Sequence, residues 1–353
     1  MQRQQQLTEW LHSLFPDQPF TLAPASADAS FRRYFRVSFQ NREKFGGQTG
    51  LGEQPGMQTA ASLIVMDAPP QHEDCRPFVH IAKLFGDAGT HVPHVYAQDL
   101  EQGLLLLSDL GNTTYLQALA SGDSGIAQAL YGAATDALIK IQLASRDNEL
   151  PYYDEALLLR EMRLFSDWYI NKHLNVTLND TQNAKLESVF TRIIANNLAQ
   201  PRVFVHRDFH SRNLMKIEKF NPGILDFQDA VYGPITYDLA SLFKDAYVRW
   251  EEAEIIDWLI RYWEKARKAG LPVHGDFSEF YRDYEWMGVQ RHLKVLGIFA
   301  RLCHRDGKDG YLKDLPLVMS YLRAACVRYI DLKPLLNLLD VLEPHIKQEG
   351  YTF

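Results

Sequence analysis

The sequence is poor in cysteine, and its few cysteines are badly placed for structural chemistry. Only three occur in 353 residues, at positions 75, 303 and 326. They are too widely spaced for a metal knuckle and odd in number. We therefore expect reduced thiols and a cytoplasmic protein.

Long apolar runs and a surplus of basic charge are also missing. No stretch approaches the roughly eighteen apolar residues of a membrane-spanning helix. Residues 1–20 are rich in glutamine and lack the apolar core of a secretion signal. The net charge of −7 argues against a nucleic-acid partner. The sequence thus predicts neither a membrane nor a nucleic-acid partner, and it shows no sign of an obligate protein partner.

Glycine is concentrated in one segment that looks like a nucleotide-binding loop. The segment spans residues 46–56 and contains five glycines. A phosphate-binding loop runs directly into a helix or carries a GK[ST] run, and neither follows here. The glutamine and glutamate between the glycines favour a flexible excursion between two strands.

The polar residues that follow two short apolar runs form the main candidate site. Runs 203–205 and 223–225 are predicted strands, and we expect the polar side chains at their ends to gather. These side chains are His206, Asp208, Asn213 and Asp226. Phosphoryl transfer needs hard oxygen ligands for magnesium and one carboxylate that faces the attacking hydroxyl, and this set supplies both.

Two other interpretations of this stretch are open. His206, Asp208 and His210 form an HxDxH run, whose side chains share one face of an extended segment and suit a transition metal. Against this, Asn213 and Asp226 offer oxygen atoms, which favour magnesium. The other interpretation is that the polar residues only form caps and turns. This explanation is adequate for a single polar residue, but less so for four polar residues at this spacing.

The run from His206 to Asn213 has the pattern HxDxxxxN, which resembles the catalytic loop of protein kinases. Together with LDFQD (225–229) and YDLA (237–240), it resembles the aminoglycoside phosphotransferase and choline kinase superfamily. The resemblance implies an α+β, protein-kinase-like two-lobed fold and the cofactors ATP and Mg²⁺.

The resemblance also implies a role for each site residue. Asp208 would accept the proton of the attacking hydroxyl, and His206 would brace its loop through hydrogen bonds. Asn213 and Asp226 would hold magnesium. Asp238 is a candidate helix cap or a second brace of the loop.

The expected division is a small antiparallel β-sheet N-lobe over 1–107 and a mainly helical C-lobe over 108–353. A hinge turn at 108–111 follows the strand 104–107. In the superfamily, backbone groups of this hinge bind adenine, which implicates Ser108 and Leu110.

Further stretches resemble the bacterial anomeric sugar kinases of cell-wall recycling, which phosphorylate the C1 hydroxyl of N-acetylmuramate and N-acetylglucosamine. The stretches are SFRRYFRV (30–37), VMDAPP (65–70), VPHVYAQD (92–99), LLLLSDLG (104–111), YYDEALLLREMRLFSDWY (152–169) and MGVQRHLKVLGIFARL (287–302). They imply a small-molecule sugar substrate and a sugar 1-phosphate product for peptidoglycan recycling. The alternative is a kinase of another small alcohol or amine, such as an aminoglycoside or choline.

Two features of the kinase pattern are missing. The predicted strand 61–66 lacks the lysine that binds the α and β phosphates in protein kinases, and the run 30–34 lacks glycine. Arg32 or Arg33 is the candidate replacement, because a guanidinium matches phosphate oxygens. Alternatively, these arginines are solvated charges at the edge of a sheet. If nothing replaces the lysine, the protein is a non-catalytic, nucleotide-binding pseudokinase.

A predicted helix over 277–305 gives the best indication of the charge of the substrate. Residues 286–305 of this helix include six basic residues and no acidic one. At about 3.6 residues per turn, Arg291 and Lys294 share one face, which is either solvated or the wall of an anion-binding pocket. Such a pocket would suit the lactyl carboxylate of N-acetylmuramate, whereas aminoglycosides are polycations.

Hydrophobic periodicity predicts the remaining elements. Strands are expected at 31–39 and 61–66. Helices are expected at 7–14, 77–85, 113–119, 125–143, 154–170, 181–198, 251–269 and 311–347. The predicted helix caps are Asn112, Asp154 and Thr181.

Overall fold

The computed structural model describes residues 2–27, 31–39 and 62–343, so the glycine-rich segment 46–56 lies outside the described residues. The chain forms two compact units. One consists of Met1–Thr113 and Met215–Asp229, and the other of Thr114–Leu214 and Ala230–Phe353.

The described residues of the first unit are built on a five-stranded antiparallel sheet. Its helices are α1 (Gln2–Leu14) and α2 (Arg76–Asp87), and its strands are β1 (Phe20–Ala27), β2 (Arg33–Phe39), β3 (Ser62–Asp67), β4 (Val95–Asp99) and β5 (Leu104–Ser108). The strand order is β1-β2-β3-β5-β4. The predictions for α2, β2, β3 and β5 are confirmed to within two residues, and α1 is confirmed as a helix that begins five residues before the predicted start.

The core of this sheet follows from alternation in two strands. Leu63 and Val65 of β3 are buried with Leu104 and Leu106 of β5, because every second residue of a strand faces the same side. The apolar stripe of α1, which includes Leu11, packs against the same cluster. Helix and sheet thus bury each other's apolar faces.

The edge strand β1 was not predicted. Its sequence FTLAPASA contains a proline and three alanines, which weaken the strand pattern. The structure places it at the edge of the sheet beside β2, with a shift in register between Pro24 and Ser26. An edge strand tolerates proline because one row of its backbone groups has no strand partner.

The second unit is mainly helical, as predicted. In chain order the next elements are α3 (Tyr115–Ala118), α4 (Ser124–Leu143), α5 (Glu155–Leu164), α6 (Asp180–Ala199), β6 (Arg202–Val205), β7 (Leu214–Met215), β8 (Gly223–Ile224), β9 (Val231–Pro234), α7 (Tyr237–Phe243), α8 (Glu252–Lys268), α9 (Phe277–Asp306), α10 (Leu315–Arg328) and α11 (Lys333–Leu342). Of these, β8 and Met215 of β7 belong to the first unit. Among the described residues, no helix combines the length and hydrophobicity needed to cross a membrane.

The long helix α9 is the centre of this unit and is buried on most sides. Gly297 lets it approach α5 closely, since a Cβ built there would lie 2.3 Å from the carbonyl carbon of Leu164. The helix ends where Gly307 takes a left-handed conformation with φ of 68°.

Two predicted helices differ from the structure. The predicted helix 154–170 is α-helical only to Leu164 and continues as a π-helix over Phe165–His173. The predicted helix 311–347 is broken by 3₁₀ turns at Asp309–Asp314 and Ile330–Leu332, and its last residues, 344–347, lie outside the described residues. Both α10 and α11 have a proline in their first two positions, where proline is favoured, so each starts as a separate helix.

The structure confirms one predicted cap and corrects two. Asp154 caps α5 by accepting the Leu157 amide. The caps of α3 and α6 are Thr114 and Asn179, each in a capping box with the glutamine three residues later, and not Asn112 and Thr181.

Candidate functional site

In the second unit, the loop after β6 is fixed by a buried carboxylate. Asp238 accepts the backbone N–H of His206 at 2.7 Å and that of Arg207 at 3.0 Å. It therefore braces the loop, while Thr236 occupies the cap position of α7. Burial raises the pKa of Asp238 to about 7, although the two amide hydrogen bonds favour its ionised form.

Arg207 adopts a left-handed backbone conformation, which is uncommon for a residue with a side chain. Its φ is 76°. The two amide bonds to Asp238 and a hydrogen bond from the Ser241 hydroxyl to the Arg207 carbonyl, at 3.3 Å, hold this conformation. The guanidinium forms an ion pair with Glu161. Strain of this kind persists only where several contacts determine the backbone, as they do just before Asp208.

Asp208 lies in the tight turn that follows. Its backbone N–H donates to Nδ1 of the buried His206 at 3.2 Å, and its backbone carbonyl accepts a hydrogen bond from the side-chain amide of Asn213 at 3.0 Å. The first contact requires an unprotonated Nδ1 on His206. The predicted base and its predicted brace are therefore in direct contact.

Positive charge surrounds the carboxylate of Asp208. Burial alone would raise its pKa, but the charges of Lys294, His210, Arg207 and Arg291 outweigh burial and hold the pKa below its ordinary value. Asp208 is therefore a carboxylate at neutral pH, in the form that can accept a proton.

A second buried carboxylate, Glu161 of α5, joins these charges. Besides Arg207 it binds Nζ of Lys294 at 3.1 Å, Nε2 of Gln290 at 3.1 Å, and the Tyr153 hydroxyl. Burial opposes the charge on Glu161, but the cations keep its pKa below the ordinary value. No role was predicted for Glu161, yet it stands at helical spacing with Leu158 and Met162. An acidic residue on an otherwise apolar helix face is a pattern in the sequence that indicates a buried carboxylate with a polar partner.

Arg291 and Lys294 are not solvated. They are only 3% and 6% exposed, which corrects the solvated-face interpretation of α9 for these two residues. Besides Glu161, Lys294 Nζ contacts the Tyr237 hydroxyl at 3.0 Å, and Arg291 Nε donates to the Ser241 hydroxyl at 2.6 Å. The helix is basic here because it lies beside buried carboxylates.

The HxDxH run does not assemble as a metal site. Nδ1 of His206 is occupied by the Asp208 amide. Within the described part of the chain, no three His, Cys, Asp or Glu side chains group so as to hold a metal ion.

In the first unit, Asp226 follows β8 in a left-handed conformation with φ of 63°. Its Oδ1 accepts the Gln228 amide at 2.8 Å and lies 3.9 Å from the guanidinium of Arg32. Arg32 also lies 3.9 Å from Glu73, which precedes α2. A carboxylate oxygen is a hard donor that suits magnesium, and Asn213 offers an amide oxygen of the same kind.

The arginines of β2 differ in their partners. Arg33 forms an ion pair with the fully buried Asp67 at the end of β3, and Arg3 binds the same carboxylate at 2.7 Å. Arg36 binds Asp109 at 2.5 Å. Arg33 is therefore engaged by an internal carboxylate, whereas the partners of Arg32 include the predicted metal ligand Asp226.

The predicted hinge residues end the strand β5. Ser108 pairs with Leu63 of β3, and its side chain accepts the His94 amide at 2.9 Å. Leu110 is buried against Gly223 of β8. Their predicted contact with adenine involves backbone groups, so these side-chain contacts are compatible with it.

Comparison with known proteins finds a family match and relatives of nearly the same length. The profile of a group described as "Phosphotransferase enzyme family" matches residues 21–278. A Pseudomonas putida protein named N-acetylmuramate/N-acetylglucosamine kinase is 47% identical over 351 residues, 97% of each chain. A Pseudomonas aeruginosa protein of the same name is 49% identical over 350 residues, 96% of this chain and 97% of the relative.

Among solved structures, the ADP-bound aminoglycoside phosphotransferase APH(2'')-Ib matches with a TM-score of 0.56 at 14% identity. The match covers 90% of this chain and 97% of that one. It confirms the predicted α+β, protein-kinase-like fold.

Proposed function

Because this chain belongs to the phosphotransferase enzyme family, we propose that it uses ATP to phosphorylate the anomeric C1 hydroxyl of N-acetylmuramate and N-acetylglucosamine. The observation that carries the proposal is the 47% and 49% identity, over nearly the whole chain, to two proteins named as kinases of these sugars. The sugar 1-phosphates would serve peptidoglycan recycling.

In this proposal Asp208 accepts the proton of the sugar hydroxyl as the hydroxyl attacks the γ-phosphate of ATP. An anomeric hydroxyl is more acidic than an ordinary alcohol, so a carboxylate of low pKa suffices as its base. Lys294 and Arg207 favour the ionised form of Asp208. His206 and Asp238 act as positioning residues, because they bind the backbone around Asp208.

Asn213 and Asp226 are the proposed magnesium ligands, since both present hard oxygen atoms. When bound, magnesium would neutralise charge on the phosphates of ATP. Arg32 is the proposed substitute for the missing lysine. Its contacts with Glu73 and Asp226 support this role, because the lysine of protein kinases likewise pairs with a glutamate.

The absence of that lysine also favours a second candidate, a nucleotide-binding pseudokinase. One experiment separates the two. The protein is incubated with ATP, Mg²⁺ and each sugar, and ³¹P NMR identifies a phosphate on C1. Choline and an aminoglycoside serve as comparison acceptors, and Asp208→Asn as the inactive control. ATP binding without transfer to any acceptor would establish the pseudokinase. Transfer only to choline or the aminoglycoside would refute the sugar assignment.

A further inference from the structure

Arg212 is an exposed cation in the loop that carries Asp208. It lies four residues after Asp208 and directly before Asn213. Its guanidinium stands over the ring of Tyr247 at 4.7 Å and near that of Tyr311 at 5.5 Å. Within the described part of the chain it has no carboxylate partner within ion-pair distance. Its charge is therefore available to an anion from solution.

The loop is compact enough to keep Arg212 near the proposed base. The backbone N–H of His210 donates to the Asp208 carbonyl at 3.0 Å, and the backbone N–H of Asn213 donates to the His210 carbonyl at 3.0 Å. Two consecutive tight turns therefore separate Asp208 from Arg212.

The aromatic support under Arg212 is fixed to the same loop. Asp245 accepts the Ser211 amide at 3.0 Å and the Tyr247 amide at 3.2 Å, which ties the loop to the residue bearing the ring. Phe299 of α9 contacts both tyrosine rings, with centroids 6.1 Å from Tyr247 and 5.2 Å from Tyr311. A cation over such rings is oriented without being neutralised.

The other basic residues near Asp208 are less suited to an incoming anion. Lys294 already contacts Glu161, so a substrate carboxylate would have to compete with a buried ion pair. Arg291 is 3% exposed and donates to Ser241. Arg212 alone among these three is exposed, and its side-chain partners among the described residues are the neutral tyrosines Tyr247 and Tyr311, not a carboxylate.

We propose that Arg212 is the specificity-determining residue that pairs with the lactyl carboxylate of N-acetylmuramate, with Tyr247 and Tyr311 as its support. The inference rests on the proposed function. N-acetylmuramate and N-acetylglucosamine differ by the lactyl group on O3, so only the first offers an anion to Arg212. A guanidinium binds a carboxylate through two parallel hydrogen bonds, which gives direction as well as strength.

The test is the ratio of kcat/KM for N-acetylmuramate to that for N-acetylglucosamine. Arg212→Gln should lower this ratio by about tenfold or more, since a charge-assisted hydrogen bond is lost for one sugar only. Arg212→Lys, which keeps the charge without the two-pronged geometry, should give an intermediate ratio. The matched control is Arg249→Gln, which removes an exposed arginine from the same unit and should leave the ratio unchanged.

Equal effects of Arg212→Gln on both sugars would overturn the inference. So would a change of ratio in Arg291→Gln or Lys294→Gln and not in Arg212→Gln, because the carboxylate would then be bound on α9. In both cases the wild-type enzyme still phosphorylates the sugars. A wild-type enzyme that phosphorylates neither sugar would overturn the proposed function, and this inference with it.

Discussion

Nζ of Lys294 lies 3.1 Å from Oε1 of Glu161, and both side chains are buried. The ion pair joins α9 to α5, and the positive charge of Lys294 also lowers the pKa of Asp208. Removing Lys294 therefore changes the protonation of Asp208 as well as the packing of two helices.

We predict that Lys294→Met shifts the acid limb of the pH profile of kcat/KM to higher pH. Asp208 acts as a base only when ionised, so activity is lost as the pH falls through its pKa. Lys294 lowers that pKa, and its removal raises it, so the loss begins at higher pH. The profile should be measured with N-acetylglucosamine, which has no carboxylate of its own to titrate.

Lys268→Met is the control for that experiment, because it removes an exposed lysine at the end of α8. It should leave the acid limb in place. An unmoved limb in a folded Lys294→Met protein would show that Lys294 does not set the pKa of Asp208. Its folding should be checked by thermal denaturation, since removing one partner of a buried ion pair costs about 3–5 kcal/mol.

Asp208→Asn should lower kcat by roughly 10²–10⁴-fold while ATP affinity stays close to that of the wild type. The amide cannot accept the proton, yet the proposed role of Asp208 concerns the sugar and not the nucleotide. Steady-state kinetics and calorimetry measure the two effects separately. A variant that keeps about a tenth or more of the wild-type rate would exclude Asp208 as the base.

Asp226→Ala should abolish the enhancement of ATP affinity by magnesium, because the proposed site loses its charged ligand. Calorimetric titration of ATP with and without Mg²⁺ measures this enhancement. Asp87→Ala, which removes an exposed carboxylate from α2 of the same unit, should retain it. The same enhancement in Asp226→Ala and wild type would contradict the assignment.

Gly297→Ala should destabilise the protein by about 1–3 kcal/mol, because the new methyl group would meet the backbone of Leu164. Gly132→Ala is the matched control. Gly132 also lies within a helix, α4, but nothing stands within 4 Å of a Cβ built there. Replacing it should stabilise by up to about 1 kcal/mol. Denaturant unfolding of both variants checks the contrast, and equal losses would refute the packing argument.

The elements that the sequence predicted well are those with a strong apolar period. The long helix at 277–306 and the strands β2, β3 and β5 are of this kind. The strand β1 was missed because its hydrogen bonds to β2, and not its own weak pattern, hold it in the sheet. The π-helix and the broken helix near the C-terminus likewise depend on packing between distant segments.

The candidate site was predictable where its residues are close in sequence. The spacing of His206, Asp208 and Asn213 is local, and so is the contact from Asn213 to the Asp208 carbonyl. The charge environment was not predictable, because Glu161 meets Arg207 and Lys294 only through the tertiary fold. For the same reason the basic residues of α9 suggested a solvated face, whereas two of them are buried beside carboxylates.

The π-helical segment Phe165–His173 affects how the length of this region can vary among relatives. A π-helix closes each hydrogen-bonded turn with one residue more than an α-helix does, so it accommodates an insertion without forming a loop. Deleting one residue there would restore a continuous α-helix without rotating the residues that follow, because the deletion removes the residue that the π-helix had taken up. Homologues with an uninterrupted α-helix should therefore be one residue shorter at this point.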